Sequence, residues 1–159
     1  MSWRSRPDAW RCALAIALAA PGVARAQGWR ELQAWGVGTA ARPAFVGAGI
    51  GVAWRDRART RWSAALAGGA RGGASAVRAE LAYHFLLSPE RTRGRGVYGG
   101  GGAAIVAGPD RRPHTYVQVV LGAEARPAGA GGAFVEAGVG GGVRVAIGLR
   151  WRKRNAPRS

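Results

Sequence analysis

The chain has a single cysteine, Cys12, so a disulfide scaffold is excluded. No apolar run reaches the roughly 18–20 residues that a spanning helix needs, which excludes a polytopic helical membrane protein. Its 27 glycines follow no three-residue period and proline is limited to 8, which excludes collagen. Acids are also scarce: 8 Asp plus Glu stand against 24 Lys plus Arg, a formal charge of +16. The glycine runs Gly68-Gly69, Gly99–Gly102 and Gly140–Gly142 lack the G-x-x-x-x-G-K-[ST] spacing of a phosphate loop. The basic clusters Arg55–Arg61 and Arg150–Arg154 come with no stacking motif or recognition helix, so the positive charge does not point to nucleic acid. What is present, in 159 residues, is the material of one domain.

Residues 1–26 are expected to form a secretory signal. Arg4, Arg6 and Arg11 precede the apolar run Cys12–Ala20, then Pro21-Gly22 and an A-x-A site at Ala24–Ala26. Cys12 has no lipobox ahead of it, which argues against a lipid anchor. Cleavage after Ala26 leaves an exported chain without cysteine, held by packing and hydrogen bonds alone.

Beyond the leader the pattern has a period of two. In Val77–Leu87, the residues Val77, Ala79, Leu81, Tyr83, Phe85 and Leu87 share one parity, against Arg78, Glu80, Ala82, His84 and Leu86. A helix would scatter those charges, whereas a strand sorts them onto two faces. The same alternation predicts strands over Phe45–Trp54, Thr60–Ala70, Thr115–Ala125 and Val143–Trp151. Glycine blurs three further runs, Ala34–Ala40, Val97–Ala107 and Gly132–Val139, and leaves their parity open except for Glu136, assigned inward against Val135. Turn-rich segments separate all eight, and none is long enough for a crossover helix, so neighbours should form antiparallel hairpins. An all-β, antiparallel up-and-down barrel of about eight strands is the expected fold, spanning residues 27–151 with a basic tail at 152–159. Closure is how such a meander disposes of its edges.

Two faces are on offer, and one is charged. Arg78, Glu80, His84, Glu124, Arg126, Glu136, Arg144 and Arg150 are expected to form a lumenal polar network, since buried charges must be paired. The opposite face is Val, Ala, Leu and Ile. With the N-terminus on the periplasmic side, Trp54, Trp62, Phe85, Phe134 and Trp151 fall at one rim as an interfacial aromatic girdle. A soluble barrel could carry those charges outside, but only the membrane case accounts for the girdle and the lumenal charge together.

On this pattern the chain resembles the small eight-stranded outer-membrane barrels of the OmpA/OmpX type. The last strand, Val143–Trp151, looks like that family's terminal assembly signal, except that Arg152–Ser159 follow the closing aromatic. The resemblance implies an outer-membrane location, contact with outer-membrane lipids and with lipopolysaccharide, and insertion by the assembly machinery. It implies no cofactor and no metal. Members that bind partners do so through long outer loops, which this sequence lacks.

Two other functions remain to be weighed. A secreted, lipocalin-like barrel would hold an apolar ligand inside. A lipid-modifying outer-membrane enzyme would need a nucleophile, base and orienter, but His84 and His114 have no serine suitably placed beside them. The expected role is therefore structural or surface-interacting, without a catalytic centre.

Overall fold

The structure, a computed structural model, describes residues 29–57, 59–108 and 111–154. The expected signal segment lies outside the described residues. Eight strands follow one another: β1 (Trp29–Ala40), β2 (Phe45–Arg57), β3 (Thr60–Arg71), β4 (Ala74–Leu86), β5 (Arg95–Gly108), β6 (Arg111–Ala125), β7 (Gly131–Val139) and β8 (Val143–Arg154). Each pairs antiparallel with the next, and β8 pairs with β1, so the sheet is a closed barrel without an edge.

The register fixes the shape of the barrel. Following paired residues once around, from Arg30 through Trp54, Trp62, Tyr83, Gly101, Val119, Val139 and Val143, returns to β1 at Ala40, ten residues from the start. A stagger of that size over eight strands tilts them by roughly 40° to the barrel axis. The interior of an eight-stranded barrel is narrow enough for side chains to fill.

Alternation then sorts every strand. Val46, Ile50, Val117, Leu121, Val145 and Ile147 are exposed on the outside, while their neighbours Phe45, Gln118, Val120, Arg144 and Ala146 are buried inside. Between their ends, the outward positions of β3 to β7 carry no charge. At the end where the chain enters and leaves, Arg95 at the start of β5 shares the outward parity of Val97, and Arg30 and Lys153 lie opposite each other across the β1–β8 pair. Glycine makes room inside. Phe134 covers Gly148, its register partner on β8, and Tyr98 covers Gly122, its partner on β6. A Cβ at Gly148 would stand 2.7 Å from the Phe134 ring, so a larger residue there would displace it.

Three expectations need correcting. β8 continues through Arg154, so Arg152 to Arg154 are strand rather than tail. Arg126 is not lumenal: β6 ends at Ala125, and Arg126 turns outward, exposed, with a φ of 48°. Phe134 is not part of an outer girdle, because it shares the inward parity of Glu136 and is 4% exposed. Within the two basic clusters, Arg55, Arg61 and Arg152 point into the barrel together with Arg150.

Candidate functional site: a charged lumen

Among the described residues, ten charged side chains joined in ion pairs fill the interior: Glu31, Glu80, Glu124 and Glu136 with Arg55, Arg61, Arg78, Arg144, Arg150 and Arg152. They form two linked groups stacked along the axis. Nearer the chain ends, Glu31 meets Arg55 at 3.3 Å and Arg152 at 3.0 Å, and Glu124 meets Arg61 at 3.1 Å and Arg152 at 2.8 Å. Further along, Arg144 donates to Glu136 at 2.9 Å and to Glu80 at 2.9 Å, and Glu80 also accepts from Arg78.

Arg150 and Tyr98 join the two groups. The Arg150 guanidinium donates to Glu124 and, at 2.8 Å, to the Tyr98 hydroxyl. That hydroxyl donates in turn to Glu136 at 2.8 Å. Arg150 also lies over the Phe134 ring, 4.1 Å from its centroid, and Arg61 lies over Tyr98 at 4.5 Å. The two inward aromatics therefore serve as platforms for guanidinium groups. This is why Phe134 is more stable inside, where it covers a glycine on one side and a cation on the other.

Several bonds run across the lumen rather than along its wall. Arg61 on β3 reaches Glu124 on β6, and Arg78 on β4 reaches Gln118 on β6 at 3.3 Å. The end near the termini is further closed by the turns. Arg55 donates to the carbonyl of the fully buried Pro127, and Arg152 donates to the carbonyls of Arg126 and Gly129. The two longer turns are tied together where Ala128 donates to the Arg91 carbonyl.

The remaining space is slight. Gln33, Trp35, His84 and Gln118 line a cavity of about 20 Å3, enough for a water but not for an apolar ligand. His84 is buried there with its ring edge-on to Tyr98 at 5.4 Å. His114 is exposed near the opposite end of the barrel, stacked on Tyr116. The two histidines are thus separated by most of the barrel's length. Among the described residues no group of three or more His, Cys, Asp or Glu side chains could hold a metal.

Of the residues expected in the lumenal network, the structure brings together Arg78, Glu80, Glu124, Glu136, Arg144 and Arg150, with His84 beside them. Glu31, Arg55, Arg61, Tyr98, Gln118 and Arg152 also belong and were not anticipated. On the outside, Trp62, Phe85 and Trp151 are exposed at the terminal end and Trp54 pairs with Trp62 in register. Tyr83 joins them, 4.8 Å from Trp62 and 5.1 Å from Phe85.

No family model matches the chain, and no curated protein does. Among solved structures, the N-terminal β-barrel domain of Pseudomonas aeruginosa OprF superimposes with a TM-score of 0.60 at 12% identity, over 80% of this chain and 100% of that one. Neisserial surface protein A (NspA) superimposes with a TM-score of 0.57 at 10% identity, over 79% of this chain and 97% of that one. This chain shares with both the closed eight-stranded barrel fold.

Proposed function

We propose that this chain is an integral outer-membrane β-barrel with a structural or surface-interaction role, whose lumen is sealed by ion pairs and does no catalysis. One observation carries the proposal: the barrel is inside-out relative to a soluble one. Its wall is an uncharged belt of Val, Leu and Ile, while six arginines and the glutamates that pair with them fill the interior. In water such a wall would expose far more contiguous apolar surface than monomeric proteins tolerate. In a bilayer the same belt, bounded by aromatics at one rim, matches the solvent. By name the two solved barrels it resembles are an N-terminal β-barrel domain and a surface protein, which agrees with that assignment.

The lumen supports a plug rather than a channel. Wide aqueous passages need about sixteen strands, and here ion pairs cross an eight-stranded interior. The same charges argue against an apolar ligand inside. The termini would then lie in the periplasm, with the short turns at the far end facing outward.

Gel migration tests the proposal. A closed membrane barrel extracted from the outer-membrane fraction resists SDS until heated, so the unboiled protein runs as a compact species and shifts on boiling. Protein recovered in the soluble fraction, with identical migration boiled and unboiled, overturns it.

A further inference from the structure

We infer that the seam between β1 and β8 carries a headgroup site for an anionic phospholipid, in the leaflet nearest the chain ends. The inference rests on the membrane proposal above. Arg30 and Lys153 are direct register partners across this seam, both exposed on the outer wall. Like charges placed opposite each other on one sheet face repel. The glutamates of the strands, Glu31, Glu80, Glu124 and Glu136, all point inward and offset neither cation on that face. An anion between the two cations removes the repulsion.

Depth and shape point to the same ligand. Arg30 is paired with Trp54 on β2, and one outward position deeper Leu32 is paired with both Val52 and Trp151. The recess at this place is bounded by Arg30, Leu32, Val52, Trp151 and Lys153, and by Glu31 and Arg152, whose buried side chains pair with each other in the lumen. The cations therefore stand on the aqueous side of interfacial tryptophans, at the level of lipid phosphates, with an apolar floor just below for acyl chains. A phosphate accepting from both cations suits a headgroup of net negative charge. A zwitterionic headgroup would bring its own ammonium towards Arg30 and Lys153. Lipopolysaccharide phosphates belong at the opposite rim in this orientation.

Native mass spectrometry of the full chain reads out the site. The protein is refolded into phosphatidylcholine vesicles holding a minority of phosphatidylglycerol or of phosphatidylethanolamine, extracted in mild detergent, and its retained lipid counted. Each basic residue at an anionic surface contributes about five-fold to partition, so the pair predicts phosphatidylglycerol enriched on the order of ten-fold or more. The R30Q/K153Q variant is expected to retain the two lipids equally, whereas R42Q/R112Q, at the far rim, keeps the preference. Equal retention by the unaltered chain overturns the site, and so does a preference that survives R30Q/K153Q or disappears in R42Q/R112Q. A chain that inserts into none of the vesicles overturns the membrane proposal, whereas insertion into all of them with equal retention overturns the seam site alone.

Discussion

Arg144 on β8 and Glu80 on β4 lie on opposite walls of the barrel, yet Arg144 Nη2 donates to Glu80 Oε2 at 2.9 Å. A bond across the full width means the lumen is filled by its own side chains. Arg144 also holds Glu136, and Glu80 also holds Arg78, so removing one partner leaves charge uncompensated on both sides.

Glu80→Gln should therefore cost about 3–5 kcal/mol, the range for breaking a buried pair by removing one member. Replacing both, as Glu80→Gln with Arg144→Met, should cost less than the sum of the single changes, because the second removes a cation the first has stranded. Urea unfolding in micelles, followed by tryptophan fluorescence, measures the cycle. Strictly additive losses would mean that the pair is not coupled.

Tyr98 links the two halves of the network through one hydroxyl, accepting from Arg150 and donating to Glu136. Tyr98→Phe keeps the ring over Gly122 and under Arg61, and removes only those two bonds. A loss of about 1–3 kcal/mol is expected in the same unfolding assay. An unchanged midpoint would show that Arg150 and Glu136 satisfy each other directly, as their 3.5 Å separation already allows.

Outward positions should respond to the same substitution according to their depth. Val119 faces outward halfway along β6, and Ala125 faces outward at its end. In a bilayer Val119→Arg should cost about 2–4 kcal/mol and Ala125→Arg about 0–1 kcal/mol. Comparing folding yields in vesicles checks this depth dependence, and equal effects at the two positions would contradict a buried belt.

Gly148→Ala tests the close packing around this glycine. Its added methyl would press on the Ala34 carbonyl and on the Phe134 ring and, through the ring, on Arg150. Overpacking of this kind costs about 1–3 kcal/mol. Gly38→Ala, where a Cβ meets nothing within 4 Å, should leave the unfolding midpoint unchanged.

The sequence was informative wherever alternation was clean and silent where it was not. Val77–Leu87 and Val143–Trp151 carry large residues on one parity and charges on the other, so their two faces could be assigned at once. Tyr98 sits beside four consecutive glycines, which have no side chain to mark a face, so its inward direction was hidden. Glu31, Arg55 and Arg152 were missed for a different reason. Strands were ended at or inside the aromatics, while β1, β2 and β8 run beyond them and keep alternating. Phe134 was grouped with Trp62 by its level along the barrel, although Val135 beside it already implied an inward side chain. Arg126 shows the converse error: the alternation of β6 was extended one residue past the strand's end. Which cation meets which carboxylate depends on the ten-residue stagger, and pairing across that distance has no signature in local sequence.

The inside-out arrangement is tested most directly by placing single cysteines, in a chain with Cys12 replaced by Ser, at Val119, Leu121, Val145 and Ile147. Each is labelled with a fluorophore and reconstituted into vesicles whose acyl chains carry bromine. The account predicts quenching of all four by the brominated lipid and none by aqueous iodide, with the opposite result for a label at Arg93 in the β4–β5 turn. Iodide quenching at the four outward positions, with no effect of brominated lipid, would contradict it.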